Sequence, residues 1–429
     1  MNKLLAANRV AASGIQVGTM LVIASLMSLE EFGRFAVYWS TILVLGAFAS
    51  IGAPQFLLRE LAAYQAAPGR GVSLSYATKL AVIIPGIVLA SAYGIYSALR
   101  LFGIALPLLP GDVAAFSIVI ASMVSVQVQH VAIIFRVFEC KNSAMYISLA
   151  GNQFILLASL VLMTACAEPS ADLLLNMFAL SGAVVVILIW ICHWAFFPVG
   201  TLFRETEESK LSLSFWVNGT LSILIKHTDT FIGGAFLVAE HLGVYQVVKR
   251  ISNLAILPKT VSDWDLTTEI AQSAAVADAA RLEAHARRYL HISVWPSLVF
   301  AGAVLSLSPV IMRFYEVGFS WYWVALFVLM LANPIIRVLY GGHMTFATQL
   351  QLEHFSAIAR FGAFFVVVGA YLLLPVNKTP ISIAAAFLLM TTLSSTVIWL
   401  AVRARAGVDT SIGLYFRPGP GQKPKVRRR

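Results

Sequence analysis

Apolar runs of roughly 18 or more residues recur twelve times along the chain, and that is the length an α-helix needs to cross the hydrocarbon of a bilayer. They fall near 9–28, 36–58, 80–99, 113–135, 145–166, 173–197, 214–236, 244–264, 291–312, 323–346, 357–374 and 380–402. Inside hydrocarbon the backbone N–H and C=O groups have no water to bond, so each run must satisfy its own groups as a helix. The ten-residue alternation of a transmembrane barrel is not seen. The chain is therefore read as an all-α polytopic membrane protein with about 12 transmembrane helices. A hydrophobic share of 59%, only 12% charged residues and a mean hydropathy of +0.83 exclude disorder and an ordinary soluble enzyme. The first run lacks a small-x-small cleavage site and is read as a retained anchor.

The sidedness follows from the basic residues. With both termini placed inside, 21 of the 30 Lys and Arg fall in the tails and loops of that side, counting Arg9 and Arg360 at the inner ends of their spans, and four (Arg34, Arg100, Arg313, Lys378) on the other. Positive charge stays on the cytoplasmic face, so the expectation is a multi-pass membrane protein with both termini cytoplasmic. The net charge of +10 is thus a topology signal and does not imply nucleic acid as a partner. No loop is long enough to hold a separate globular domain; the longest inward one lies near 265–290. Residues 406–429 form a basic tail, Pro/Gly-rich toward its end, that is expected to be disordered.

A repeat appears at an offset of 210 residues. LMSLEEFGRF at 26–35 matches FLVAEHLGVY at 236–245, aligning Glu30 with Glu240, Gly33 with Gly243 and Phe35 with Tyr245. An offset of six spans keeps both copies in the same orientation, so the two six-helix lobes are parallel pseudo-repeats related by an axis along the membrane normal. The expected lobes are 1–205 and 206–405, followed by the tail.

Catalytic patterns are missing: there is no GxxxxGK[ST], HExxH or GxSxG. Cys140, Cys166 and Cys192 have no metal-ligand spacing, and neither a metal nor a cofactor is expected. The informative residues are charges placed within spans, each costing about 2.5–3.5 kcal/mol or more at a helix centre. Lys226 and Arg337 fall near the middle of the seventh and tenth spans, and Lys249 and Arg250 enter the eighth from its outer end. Lys226 and Asp229 share a helix face. They read either as an intrahelical ion pair or as a ligand and coupling-ion site. Asn333, Arg337 and Tyr340 form a stripe beside Pro334, read either as the lining of a cavity or as an Arg capping carbonyls freed by the proline. For Gln127 and His130 in the fourth span, bonding between helices is the better reading.

The six-plus-six spans, the Glu-x-x-Gly-x-[Phe/Tyr] turns at Glu30–Phe35 and Glu240–Tyr245, Gly52-Ala-Pro-Gln-Phe-Leu-Leu-Arg-Glu60 and Gly243-Val-Tyr-Gln-Val-Val-Lys-Arg-Ile251 together resemble the Wzx-type polysaccharide flippases of the multidrug/oligosaccharidyl-lipid/polysaccharide exporter superfamily. The resemblance implies a non-enzymatic transporter that moves an undecaprenyl-pyrophosphate-linked oligosaccharide, such as an O-antigen precursor of lipopolysaccharide, from the cytoplasmic to the outer leaflet by alternating access. It implies as partners the lipid-linked oligosaccharide, membrane lipids, and a polysaccharide polymerase or other assembly proteins. Lys226 and Arg337, with Arg250, Lys249, Asn333 and Tyr340, stand where cations and polar groups would meet the anionic head group. The first lobe departs from this pattern in having no comparable mid-span cation. The alternatives are a cation-coupled multidrug exporter of the same superfamily, for which Asp229 is the carboxylate, and an integral-membrane glycan-modifying enzyme.

Overall fold

The computed structural model describes residues 3–53, 82–101, 112–137, 141–196, 213–276, 278–318 and 320–416. Fourteen α-helices cover most of them, and no strand occurs among the described residues. In chain order they are α1 (Lys3–Leu26), α2 (Leu29–Ala49), α3 (Ile84–Leu101), α4 (Asp112–Val137), α5 (Lys141–Cys166), α6 (Ala171–Phe196) and α7 (Leu213–Phe236). These are followed by α8 (Ala239–Ser252), α9 (Leu257–Ala275), α10 (Ala279–Phe314), α11 (Trp321–Leu339), α12 (His343–Gln349), α13 (Glu353–Leu373) and α14 (Pro380–Ala406). A helix lies at each of the twelve expected spans. Nine helices among the described residues are long and apolar enough to cross a membrane.

Local chemistry sets several of the helix ends. Ser28 accepts a hydrogen bond from the Glu31 N–H and starts α2, while Glu30 and Glu31 place negative charge at its N-terminus. Thr379 and Ser382 form a reciprocal capping box before α14, with Pro380 in the first turn. At the far end of α14, Gly407 takes φ 67°, a left-handed conformation suited to glycine.

Three expectations need correction. The eighth span is not one continuous helix. α8 begins at Ala239 and gives way to a 3-10 turn at Asn253–Ile256 before α9, where Pro258 cannot supply an N–H to the preceding turn. Lys249 and Arg250 therefore lie ten and eleven residues beyond Ala239, about 15–17 Å along the helix. The tenth span is shorter than expected. α11 ends at Leu339 because Gly341 turns to φ 62° and the Thr410 carbonyl oxygen occupies the space of its Cβ, so Arg337 stands in the last turn of its helix and not at the middle. The C-terminal tail is folded through residue 416: Ser411 caps the 3-10 turn Ile412–Leu414, and Val408 and Leu414 are buried. Residues 417–429 lie outside the described residues, as does almost all of the 198–213 connector between the expected lobes.

The chain divides into two compact units, one spanning Ala7–Val247 and the other Val248–Arg429 together with the first six residues. In the first, α4, α5 and α6 pack on one another and α2 packs on α4 and α7. Its core is aromatic: Trp39 meets Phe178 edge-on at 5.4 Å and stacks near Phe35. Small polar groups join the helices, including Asn152 to Ser125 at 3.0 Å and Ser117 to Asn176 at 2.6 Å. Gln127 accepts an interhelical bond from the Trp190 indole at 3.2 Å, whereas His130 Nδ1 meets the Val126 carbonyl of its own helix at 2.9 Å and does not join helices through that atom. In the second unit α9 and α10 form a hairpin, and α14 packs on α11 and α13. Leu266, Ile270, Tyr289, Leu290, Phe346 and Leu414 share one buried core there.

Candidate functional site

The first unit carries Lys226 and Asp229 on α7, within the sequence Lys-His-Thr-Asp-Thr at 226–230. Four of these five residues point into the protein. Asp229 is buried and accepts hydrogen bonds from the Tyr245 hydroxyl at 3.0 Å and from the Thr230 N–H at 2.8 Å. Gln246 donates to Thr230 Oγ1 at 2.9 Å, and His227 Nδ1 meets Ser40 Oγ at the same distance. A polar layer thus ties α7 to α8 and to α2. Lys226 itself is exposed.

The second unit holds the other expected site residues. Lys249 and Arg250 occupy the last turn of α8, where the helix dipole favours cations, and both are half-buried. The 3-10 turn that follows them packs on α10 and α11. On α11 the expected polar stripe is divided. Asn333 Oδ1 accepts from Thr391 at 3.2 Å and the Tyr340 hydroxyl bonds Thr396, so both are engaged by α14. Arg337, between them in sequence, is exposed, and its field reaches Arg360 on α13.

Sequence reasoning missed several of these features. Arg360 was counted as a loop charge, but α13 begins at Glu353 and carries it inside the helix. Lys259 is buried against Asp263 with an Nζ–Oδ2 distance of 3.0 Å, and that carboxylate also accepts from Thr345 and Tyr289. The Lys259–Asp263 spacing of four residues on a helix was the available signal. Ser40 gave none, since its partner His227 is 187 residues away, and the repeat that marked Tyr245 and Gln246 did not point to Asp229 and Thr230 as their partners.

This is the architecture of a multi-pass membrane protein, with helical bundles, a broken helix, and charges within or at the ends of apolar helices. The structure resembles the outward-facing conformation of a multidrug resistance MATE family transporter of the MOP superfamily, with a TM-score of 0.65, 14% identity and 94% of each chain covered. It is similar to a MOP superfamily transporter from Pyrococcus furiosus, whose structure was described as having a reverse polarity of the binding pocket (TM-score 0.64, 15% identity, 94% of this chain and 95% of that chain). It is also similar to an inward-facing MATE family transporter at a TM-score of 0.62, with 14% identity and 94% and 98% covered. The chain has the MOP superfamily fold.

Within that fold class the assignment narrows. Residues 22–263 match the model of the polysaccharide biosynthesis protein family, and the chain belongs to that family. Family and fold agree with the Wzx-type resemblance read from the sequence. No curated protein shows significant sequence similarity to the chain.

Proposed function

We propose that the protein is a flippase that carries a polyprenyl-pyrophosphate-linked oligosaccharide from the cytoplasmic to the outer leaflet of a bacterial inner membrane. The observation that carries this reading is a polysaccharide biosynthesis family match on a chain with the fold of MOP superfamily transporters. The physical requirement agrees. A pyrophosphate and a glycan cannot enter hydrocarbon unaided, so their carrier needs polar and cationic groups within the bilayer while the polyprenyl tail stays in lipid. Lys226 and Arg337 supply such charge, one in each compact unit, with Lys249 and Arg250 at the helix break as further cations. Asn333 and Tyr340 orient the Arg337 helix through α14. Two six-helix lobes, cytoplasmic termini and assembly-protein partners belong to the same reading.

The test is reconstitution. Purified protein in liposomes is expected to expose a lipid-linked oligosaccharide from the inner leaflet to an externally added glycosidase, leaving the molecule otherwise unchanged. Chain extension or pyrophosphate hydrolysis by the pure protein would instead make it an enzyme. Efflux of cationic drugs without glycan movement would favour the multidrug exporter, with Asp229 as its carboxylate.

A further inference from the structure

The short segment that follows α14 has two faces. Val408 and Leu414 are buried in the core of the second unit with Leu290, Val294 and Val402. Tyr415 is half-buried and Phe416 is 79% exposed. The Tyr415 ring lies nearly parallel to His291, with 6.2 Å between centroids, and its hydroxyl accepts a hydrogen bond from the Trp295 indole at 3.1 Å. Trp295 is exposed as well. Packing on α10 thus assembles one outward aromatic patch from His291, Trp295, Tyr415 and Phe416.

The depth of this patch follows from α10. Its 36 residues make about 54 Å of helix, against about 30 Å of bilayer hydrocarbon, so one end must project from the membrane. The projecting end is the first, where Arg281, Glu283, Arg287 and Arg288 precede the apolar run. His291 and Trp295 stand where that run begins, the depth at which tryptophan and tyrosine collect at a membrane surface. Leu298 and Val299, one turn further along and also exposed, continue the patch toward the hydrocarbon.

Charge at the same end of the unit is of one sign. Arg403 and Arg405 are exposed in the last turn of α14, and the Arg403 guanidinium lies over the Trp399 ring at 5.6 Å. The indole of that tryptophan donates to Asp409, which fixes the start of the segment beside these cations. After Asp409 the sequence has no acidic residue, while Arg417, Lys423, Lys425 and Arg427 to Arg429 add six positive charges directly beyond Phe416. An aromatic patch at headgroup depth is therefore joined to a strong excess of positive charge.

We propose that residues 407–416 moor the chain to the membrane surface, with Trp295, Tyr415 and Phe416 seated among the headgroups, and that the cations on either side of this mooring bind acidic phospholipid. Charge complementarity selects the occupant, since a polybasic stretch held at a membrane surface attracts anionic headgroups. The proposal needs only a membrane setting and is independent of the flippase reading.

The test uses the full chain with Cys140, Cys166 and Cys192 changed to Ser and an environment-sensitive fluorophore on Gln422→Cys. The protein is reconstituted without any lipid-linked oligosaccharide, either in phosphatidylcholine vesicles or in an equal mixture of phosphatidylcholine and phosphatidylglycerol. A blue shift of the emission is expected in the mixture only, and high salt should reverse it. Changing Arg427, Arg428 and Arg429 to Gln should lower the bound-to-free ratio roughly a hundredfold, about fivefold for each charge. Phe416→Ser should lower it about tenfold by removing the apolar anchor, with the thermal midpoint unchanged because the side chain is exposed.

Equal emission in the two kinds of vesicle would overturn the proposal. So would an unchanged ratio in Phe416→Ser, which would leave a charged tail with no mooring. A shift that followed the protein-to-lipid ratio and not the lipid charge would assign the patch to a second copy of the chain. A shift that appeared in both lipids only on adding a polyprenyl pyrophosphate would assign the cations to that lipid, and either result would refute the phospholipid site.

Discussion

The Tyr245 hydroxyl donates a hydrogen bond to Asp229 Oδ2 across 3.0 Å, and both groups are buried. Tyr245 is also the repeat partner of Phe35, so the same structural position is apolar in one half of the chain and a carboxylate donor in the other. Tyr245→Phe keeps the ring and removes only the donor. Thr230 donates to the same carboxylate from its N–H and from its hydroxyl. We expect a loss of about 1–3 kcal/mol in stability, the usual cost of taking a partner from a buried polar group. Thermal unfolding in detergent measures it, and an unchanged midpoint would show that this bond carries nothing.

Lys226 and Asp229 can be separated by a pair of substitutions. Asp229 is embedded in a layer of hydrogen bonds, whereas Lys226 is exposed, and that asymmetry predicts different phenotypes. Lys226→Gln should express at normal level and impair transport. Asp229→Asn should lower stability and fail to rescue Lys226→Gln. Recovery of protein level in the double variant, after a loss in Lys226→Gln alone, would instead establish a structural ion pair whose orphaned carboxylate was the damage.

How far the sequence could be read follows from the range of each interaction. The long helices were visible because their apolar runs are local. The break at Asn253–Ile256 was hidden because Leu254, Ala255 and Ile256 read as more of the same run, with only Asn253 and Pro258 to hint at it. Arg360 lies at the edge of the 357–374 span and is counted there with the inward charges, but α13 starts four residues earlier, at Glu353, and carries it about two turns into the helix. The His227–Ser40 bond joins residues 187 apart, beyond any local pattern. The repeat aligned Gly33 with Gly243 but could not reveal that each glycine seats the other repeat's carbonyl. Only the fold brings those turns together.

The ion pair of Lys259 and Asp263 offers a stability test in the second unit. Lys259 is 7% exposed, and Asp263 holds Thr345 and Tyr289 as well as the lysine, so removing the carboxylate leaves a buried cation and two hydroxyls without that acceptor. Asp263→Ala is expected to cost about 3–5 kcal/mol, seen as a sharp drop in folded protein. Replacing both charges together, with Lys259→Met and Asp263→Leu, should recover much of it, because no buried charge then remains alone. A double variant as unstable as the single one would show that the hydroxyl contacts dominate.

The folded segment 407–416 makes a second test of the same unit. Thr410 donates to the Tyr340 carbonyl at 3.1 Å, Asp409 accepts from the Trp399 indole at 2.9 Å, and Gly341 lies directly beneath the Thr410 oxygen. Gly341→Ala meets two obstacles, a φ of 62° and an oxygen 2.2 Å from the new methyl. A loss of about 1–3 kcal/mol is expected. Limited proteolysis should then cut within 407–416 faster than in the unaltered protein, and equal cutting rates would mean that the turn beneath Gly341 does not hold this segment.

Arg337 carries the prediction most specific to the proposed substrate. It sits in the last turn of α11, where the helix C-terminus favours a cation, and Asn333 and Tyr340 on either side of it are fixed to α14. The Arg337 side chain is exposed. Arg337→Gln should therefore leave protein level and thermal midpoint within about 0.5 kcal/mol of normal, as exposed substitutions usually do. Transport of the lipid-linked oligosaccharide should nevertheless fall by tenfold or more, on the order of the 1.5–3 kcal/mol of a charge-assisted bond to phosphate. Arg337→Lys should restore only part of it, because an ammonium keeps the charge but loses the planar fork that grips two phosphate oxygens. The discriminating measurement sets transport beside folded protein for the three forms. Equal losses in both would make Arg337 a structural residue, and full transport by Arg337→Gln would remove it from the path of the pyrophosphate.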